Sequence, residues 1–314
     1  MAVLLPACSA FSHKVYTVST PALAVTTDTL TPTSGEERLI PLPKIPAKIT
    51  DPTQRARYFV SHYWDDWKAT AESFTPNEAA LEQTTVDFLA VLHAVRSTEE
   101  FPAEQYVLAP LRASNERVVV SLLNLYRKYL HESASPFRDD ELFLAVALWA
   151  ATDKSVPFAT QVRMKENALL LSRNRVGHPA EDFPFVSAGA PDSLRSLSQL
   201  RGKHPTILFF YSPGCDHCSA ALYKLQYCAP LREALRNKAI NLLLVYNGYG
   251  KGEWLNYREQ VPNFGENVYN VGDTILNTPL YDLSQSPTIL LLDPQGKVRL
   301  KNASVDELIR ELYH

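Results

Sequence analysis

One stretch in the second half of the chain, residues 206–228, constrains the fold more than any other. It starts with an uninterrupted apolar and aromatic run, Thr206–Tyr211, which is short and rich in β-forming residues and therefore predicts a buried strand. Ser212-Pro213-Gly214 interrupts the run, and Cys215-Asp216-His217-Cys218 then opens a segment with helical spacing. A Cys-x-x-Cys pair between a strand and a helix is typical of redox chemistry.

The position of the two cysteines gives a physical reason for that chemistry. Free amide N–H groups at the start of a helix favour a negative charge, so we expect Cys215 to ionise more readily than an ordinary thiol. Cys218 follows one helical turn later, close enough to attack a mixed disulfide. The alternative is a structural zinc site, which needs four ligands. The sequence has no second cysteine pair, and His217 lies inside the first. We therefore expect a redox pair that needs neither a metal nor another cofactor.

At these residues the chain resembles the thioredoxin superfamily. Gly177-His178-Pro179-Ala180-Glu181-Asp182-Phe183 is similar to the Gly-x-Pro-Ala-x-x-Phe entry of TlpA-type envelope thioredoxins and peroxiredoxins. Ser286-Pro287-Thr288 lies just before an apolar run, where the superfamily has its cis-proline loop. The resemblance implies that Cys215 is the nucleophile, Cys218 the resolving thiol and Pro287 the cis-proline that faces them.

The pair also departs from the pattern of cytosolic thioredoxins. Alignment on Cys215 puts Phe209 where thioredoxins bury an acid that accepts the proton of the resolving cysteine. That proton must then pass to His217 or to water. His217 precedes the resolving cysteine as in disulfide oxidants of the DsbA type, and an imidazole there would stabilise the Cys215 thiolate, whereas Asp216 would oppose it. These two effects have opposite signs, so the sequence leaves the redox potential open.

The residues before the pair predict an all-helical domain. Asp51-Pro52-Thr53-Gln54 and Thr75-Pro76-Asn77-Glu78 both have the pattern of a capped helix start. Apolar spacing predicts further helices over 115–131, 142–151 and 158–172. The first helix carries an aromatic stripe at helical spacing, which we interpret as core: Tyr58, Phe59, Tyr63 and Trp67.

The stripe belongs to a second, narrower resemblance. Residues 58–67 are similar to the start of an uncharacterised helical domain that precedes thioredoxin-like domains in Bacteroidota envelope proteins. We predict three parts: a signal remnant or disordered tether over 1–48, an all-helical domain over 49–173 and an α/β thioredoxin-like domain over 174–314. The last would follow the order strand–helix–strand–helix–hairpin–helix, after a hinge region over 174–203. Within it, we expect Pro230 to bend or end the helix that follows the pair. Cys228 lies in an amphipathic helix and is expected to be a buried, inert thiol, with a regulatory third cysteine as the alternative.

The N-terminus leaves two interpretations open. Leu5-Pro6-Ala7-Cys8 is similar to the end of a bacterial lipoprotein signal, which would make Cys8 a lipid anchor. The segment lacks a positive n-region and its apolar part is short, so the other interpretation is a disordered leader with an incidental cysteine. Residues 9–48 are rich in Thr, Ser and Pro, which suits a tether in either case.

Together these features predict a thiol–disulfide oxidoreductase of the bacterial cell envelope, either periplasmic or lipid-anchored at a membrane surface. Its expected partners are protein thiols or disulfides and an upstream electron donor or acceptor. A net charge of -3 argues against nucleic acid as the main partner. The alternative is that the helical domain does the work as a binding or assembly module, for example through dimerisation. The thioredoxin-like domain would then have little turnover, as the missing buried acid suggests.

Overall fold

The computed structural model describes residues 38–96, 101–132 and 135–312. Cys8 and most of the leader lie outside these residues, so the interpretations given for them stay predictions. Residues 38–48 belong to the predicted tether, but they pack against the helical domain instead. Ile40 is buried there, and Arg38 pairs with Asp87 across 2.8 Å. The reason is the apolar content of this short segment, which the helices remove from water.

The predicted helical domain is present. Its helices, among the described residues, are α1 (Pro52–His62), α2 (Glu78–Arg96), α3 (Ala103–Arg112), α4 (Glu116–Tyr126), α5 (Asp140–Ala150) and α6 (Phe158–Leu171). A π-helical turn, Arg127–His131, extends α4. Within the described residues, none of the helices combines the length and the apolar character that crossing a membrane would require.

The first predicted cap is confirmed and the second is wrong. The Asp51 carboxylate accepts a hydrogen bond from the Gln54 amide at 2.8 Å. The second helix starts two residues later than predicted, because Asn77 caps it by accepting a bond from the Ala80 amide at 3.1 Å. Thr75 therefore lies outside the helix.

The aromatic stripe lies in the core of the helical domain, with two differences from the prediction. Phe59, Tyr63 and Trp67 are almost fully buried, whereas Tyr58 is half-buried and contacts the His62 ring. The helix ends at His62, so Trp67 reaches the core from a turn rather than from the helix. Its indole N–H donates to the Ser114 hydroxyl at 2.9 Å, which satisfies the one polar group of this side chain.

The second half forms one mixed sheet with helices on it, which confirms the predicted fold class. Its strands are β1 (Pro184–Ser187), β2 (Ala190–Ser196), β3 (Thr206–Tyr211), β4 (Asn241–Tyr246), β5 (Glu266–Asn270), β6 (Thr288–Leu292) and β7 (Val298–Leu300). Its helices are α7 (Asp216–Gln226), α8 (Ala229–Arg236), α9 (Lys251–Tyr257), α10 (Thr274–Asn277) and α11 (Val305–Leu312). Within the described chain the strand order is β2-β1-β5-β4-β3-β6-β7.

The sheet is a two-sided apolar layer, which explains the continuous apolar runs of β3, β4 and β6. Phe209 and its neighbours on one face pack against α7, α8 and α11, and the alternate residues, such as Phe210, pack against the segments around β1 and α10. β1 and β2 form a hairpin inside the region predicted as a hinge, and β5 was not predicted. The β1–β2 hairpin and β5 extend the sheet beyond β4, on the side away from β3.

The break after α7 agrees with the prediction from Pro230. α7 ends at Gln226, and Pro230 lies in the first turn of α8. Cys228 is a free thiol and is buried, as predicted, but it lies at the start of α8 in the break and not inside an amphipathic helix. A proline cannot donate the amide that a continued helix would need, so the chain reorients there.

Charged residues join the helical domain to the sheet domain. The Lys301 ammonium donates to the carbonyl oxygens of Leu171 and Arg173, each at 3.1 Å, at the end of α6. Arg138 donates to the carbonyl oxygen of Lys301 at 3.3 Å and lies 3.4 Å from Asp140. Burial would raise the pKa of Asp140, but the hydrogen bond from His131 and the positive charges of Arg138 and Lys301 outweigh it and hold that pKa below its ordinary value.

This shift predicts an acid-sensitive junction. The carboxyl of an unfolded chain titrates near ~3.9, so a lowered folded-state pKa means that ionised Asp140 contributes stability above that pH and loses it as the pH falls through the lower value. We expect the melting temperature to fall as the pH is lowered from about 5 to about 3. The fall should be roughly 2–4 °C larger for the wild type than for Asp140→Asn. Thermal unfolding at each pH measures this, with the exposed Asp66 as a control in Asp66→Asn. Identical pH curves for wild type and Asp140→Asn would contradict it.

Candidate active site

Sheet topology brings the cysteine pair and the proline loop to the same end of the sheet. β6 runs antiparallel to β3, with Phe210 opposite Thr288. The segment that leaves β3 and the segment that enters β6 therefore meet at one end of the sheet. The first carries Cys215 and Cys218, and the second carries Pro287, whose peptide bond with Ser286 is cis. Residues that lie 71 positions apart in sequence thus form one site, as Cys215 Sγ lies 3.9 Å from the Ser286 carbonyl oxygen.

The two cysteines form a disulfide, so the structure is that of the oxidised protein. Their Cα atoms are 5.2 Å apart. Cys215 is the N-cap of α7, and its sulfur accepts a hydrogen bond from the Cys218 amide at 3.1 Å. Cys215 is half-exposed, whereas Cys218 is 2% exposed. The amides at the start of α7 therefore point at the sulfur that solvent can reach, which is where they would stabilise a thiolate in the reduced protein.

The turn before the pair is held by polar contacts that sequence reasoning did not find. Gly214 has a φ of 69°, a left-handed conformation that glycine adopts without a steric penalty, and its amide donates to the Tyr257 hydroxyl at 3.1 Å. The hydroxyls of Ser212 and Ser286 are 2.9 Å apart, which joins the cysteine turn to the proline loop. Serine and tyrosine at these spacings carry no sequence signal for such a role.

The two residues between the cysteines face solvent. Both Asp216 and His217 are exposed, and the His217 side chain makes no hydrogen bond or ion pair with any residue that the structure describes. Phe209, in contrast, is fully buried between Leu244 and Ile289, its partners on the neighbouring strands. The position where a thioredoxin would bury an acid is thus apolar on both sides.

A cleft of about 140 Å³ opens beside Cys218. Its walls are mostly apolar with a few polar groups, and they come from the end of β3, from α7, and from the end of α9 and the segment after it. They include Tyr211, Ser212, Cys218, Leu222, Tyr257 and Val261. Sequence reasoning did not predict the cleft, because its two sides come from segments about 40 residues apart.

One wall of the cleft is fixed by an amide side chain. The carbonyl oxygen of the Asn267 side chain accepts bonds from the Tyr211 hydroxyl at 2.8 Å and from the Trp254 indole at 2.9 Å. Burial raises the pKa of Tyr211, and the negative charges of ionised Tyr246 and Tyr257 would raise it further. The hydrogen bond to Asn267 lowers this pKa but does not cancel the effect of burial. Tyr211 therefore stays a neutral hydroxyl and is not a proton acceptor at physiological pH. Across the described residues, no group of three or more His, Cys, Asp or Glu side chains is arranged to hold a metal ion.

Comparison with protein families assigns the first half of the chain. The model of a domain of unknown function, DUF5106, matches residues 16–174, just over half of the sequence. The chain belongs to the DUF5106 family. The matched range includes the whole predicted helical domain, and α1 to α6 lie within it.

Comparison with solved structures covers both halves of this DUF5106 chain. It is similar to a thioredoxin-like protein from Bacteroides caccae, with 26% identity, a TM-score of 0.79, and coverage of 88% of this chain and 99% of that one. It also matches the C-terminal domain of an uncharacterized protein from Bacteroides fragilis (28% identity, TM-score 0.42, 45% of this chain and 99% of that one). A third match is the thioredoxin domain of a thiol-disulfide oxidoreductase from Bacteroides vulgatus (21% identity, TM-score 0.38, 44% and 96%). None of the curated proteins matches the chain.

The first of these structures confirms the predicted membership of the thioredoxin superfamily with a helical domain ahead of it. Because that likeness extends over most of both chains, it covers the helical domain as well as the sheet. With the closely spaced cysteine pair, it supports a general redox role for this DUF5106 protein. The boundaries predicted at residues 48 and 173, and the roles predicted for Cys215, Cys218, Pro287 and His217, stay predictions.

Proposed function

We propose that the chain is a thiol–disulfide oxidoreductase that acts on protein disulfides or dithiols in the bacterial cell envelope. The observation that carries the proposal is the asymmetry of the pair. Cys215 is accessible and lies at the start of α7, Cys218 is buried behind it, and the Ser286 carbonyl faces the accessible sulfur across 3.9 Å. One thiol suited to attack and one suited to resolution are what a two-step exchange needs.

In the direction that reduces a substrate, the reduced protein reacts first through Cys215. Its thiolate attacks one sulfur of the substrate disulfide, a bond forms between the two proteins, and the other substrate sulfur leaves as a thiolate. The amides at the start of α7 stabilise the Cys215 thiolate before the attack. Ser286 and Pro287 stand opposite the reacting sulfur, where a substrate main chain would lie against the loop.

In the second step the Cys218 thiolate attacks Cys215, which restores the intramolecular disulfide and releases the second substrate thiol. The substrate gains two electrons, which a dithiol donor must return to the pair. Cys218 has to lose its proton in this step. Phe209 cannot accept it, and His217 is exposed and turned to solvent, so we assign that proton to water in the cleft beside Cys218. Ser212 and Tyr257 line this cleft, and their hydroxyls are the polar partners that we propose for the water.

The proposed location in the envelope has separate support. It follows from the resemblance of residues 177–183 to TlpA-type envelope proteins and from the lipoprotein-like residues before Cys8. In this proposal the substrates and the dithiol donor are envelope proteins.

The test is to trap the mixed disulfide. Cys218→Ala removes the resolving thiol, so we expect covalent complexes with partner proteins to accumulate, by about tenfold or more over the wild type, on non-reducing gels of native cells. The complexes are expected in the envelope fraction. Cys215→Ala should form none, because the attacking sulfur is missing.

Cys228→Ala is the matched control for this experiment. Cys228 is the third cysteine of the domain, is buried and is not in a disulfide, so its loss should leave the pattern of complexes unchanged. If Cys218→Ala accumulates no complex in native cells, the proposed function is wrong. Complexes formed with cytosolic proteins alone would contradict the location while leaving the chemistry in place.

The second function, a binding or assembly module with little turnover, is favoured by one observation on the helical domain. Phe158, Val162 and Leu169 lie on one stripe of α6 and are 79%, 43% and 53% exposed. An apolar stripe that is exposed rather than packed on the core fits a surface that contacts a partner. The proposed partner is a second copy of the chain. The trapping experiment separates the two functions, because an assembly module with an idle redox domain would form dimers but no mixed disulfides.

A further inference from the structure

A histidine of the helical domain reaches the segment that carries the proline loop. His131 ends the π-helical turn after α4. Its Nδ1 lies 3.2 Å from Asp140 Oδ1 in the helical domain, and its Nε2 lies 3.5 Å from Asp282 Oδ2 in the sheet domain. The imidazole also stacks on the Phe143 ring, with centroids 5.0 Å apart and planes inclined by 16°. The His131 ring therefore has contacts on three sides, and the His131 side chain is only 15% exposed.

Asp282 starts the segment that ends in the proline loop. It lies only four residues before Ser286, and its side chain is 5% exposed. Its carboxylate also accepts a bond from the Ser284 amide at 3.1 Å, which curls the chain towards the loop. At the far end, the Thr288 hydroxyl donates to the carbonyl oxygen of Gln285 at 2.7 Å. The loop is thus short and anchored at both ends, and one anchor faces the helical domain.

The two carboxylates do not depend on His131 equally. Asp140 lies close to two further cations, Arg138 at 3.4 Å and Lys301 at 4.0 Å. Asp282 forms no ion pair within 4.0 Å with any Lys or Arg in the part of the chain that the structure describes, and Lys301 acts on it only from beyond that distance. The one other polar contact of its carboxylate there is the Ser284 amide. A nearly buried carboxylate is stable only with a partner. His131 therefore matters most for Asp282, and through it for the loop.

We infer that His131 is a positioning residue through which the DUF5106 domain holds the Ser286–Pro287 loop opposite Cys215. The inference rests on the proposed function, since the loop is argued to receive the substrate main chain. It assigns the helical domain a task in the redox reaction. Loss of the contact should disturb the loop more than the cysteines. Cys215 and Cys218 lie at the start of α7, and the Ser212–Ser286 contact is the one hydrogen bond between side chains of their turn and of the loop among the described residues.

The test compares a protein disulfide with a small disulfide that does not need the loop. In His131→Leu we expect the rate constant for reduction of insulin to fall about fivefold, because the Asp282 carboxylate loses its one ion-pair partner within 4.0 Å among the described residues. The rate constant with 5,5′-dithiobis(2-nitrobenzoate) should stay as in the wild type. His131→Gln keeps a side-chain donor and should recover part of the insulin rate. A double-mutant cycle with Asp282→Asn should show that the two losses are not additive.

His62→Gln is the matched control. His62 also pairs with an aspartate, Asp65, at 2.7 Å in the helical domain, but on the exposed surface of α1. Its substitution should leave both rates unchanged. Equal rates for wild type and His131→Leu with both disulfides would overturn the inference alone. Equal losses with both disulfides, together with a lower melting temperature, would also overturn it, because they indicate general destabilisation. If the wild type itself reduces neither disulfide, the proposed function fails instead.

Discussion

Replacing Cys215 with serine is expected to abolish disulfide exchange and to leave the fold intact. The rate of insulin reduction should fall by about 10³-fold or more, because serine is not ionised at neutral pH and cannot form the mixed disulfide. Cys215 is half-exposed at the start of a helix, so a hydroxyl in place of the thiol keeps the cap that accepts the Cys218 amide. The melting temperature of the reduced protein should therefore change little.

Alkylation of the reduced wild-type protein provides the independent measurement. Among the three cysteines that the structure describes, iodoacetamide should label Cys215 first, since Cys218 and Cys228 are only 2% and 7% exposed. Cys228→Ser is the control and should keep the full exchange rate. If Cys215→Ser retains exchange, or if Cys218 is labelled before Cys215, the roles proposed for the two sulfurs are wrong.

The site was predictable from sequence to the extent that it depends on local structure. A strand, a Ser-Pro-Gly turn and a cysteine at a helix start are neighbours in the chain, so their patterns place Cys215 and Cys218 without any tertiary information. Pro287 was found by resemblance and not by pattern. The contacts of Tyr257, Ser286 and Asn267 depend on segments that meet only in the folded sheet, and each of these residue types is common on any protein surface.

The elements that sequence reasoning missed share a physical cause. β2 has the sequence Ala-Pro-Asp-Ser-Leu-Arg-Ser, which has few β-forming residues and is held as a strand by pairing with β1. α3 contains Pro110 in its interior, which normally argues against a helix. Its buried residues, among them Val107 and Leu111, attach it to the core. In both cases tertiary packing overrides a local preference, and a single sequence does not show packing.

Replacing Phe209 with aspartate is expected to destabilise the protein severely. A thioredoxin-like protein with a buried acid there has a proton acceptor for the resolving cysteine, so Phe209→Asp tests whether this sheet could accept one. We expect the free energy of unfolding to fall by about 5 kcal/mol or more. Loss of the buried ring alone costs about 3–5 kcal/mol, and an unpaired buried carboxyl adds to that.

The surroundings of Phe209 explain why the acid would find no partner. Its partners across the two neighbouring strands are Leu244 and Ile289. The buried cluster around it contains no charged side chain, and its polar groups are tyrosine hydroxyls, one indole and two cysteine sulfurs. The Tyr211 hydroxyl, two residues along β3, is already bonded to Asn267. An aspartate would therefore be protonated in the folded state, with its pKa raised by burial. A neutral carboxyl of this kind could not take the proton from Cys218 at physiological pH.

Because the new carboxyl would be protonated in the folded state, the stability of Phe209→Asp should depend on pH. Because the folded-state pKa of the new carboxyl would lie above its unfolded value, the variant should lose stability as the pH rises between the two values. The gap in melting temperature between Phe209→Asp and the wild type should thus narrow as the pH is lowered from 8 to 5. Phe209→Leu, the control, keeps an apolar side chain and should cost only about 1–2 kcal/mol at every pH. A Phe209→Asp protein with wild-type stability and faster insulin reduction would show that an acid fits beside Cys218, and that water in the cleft is not the acceptor we propose.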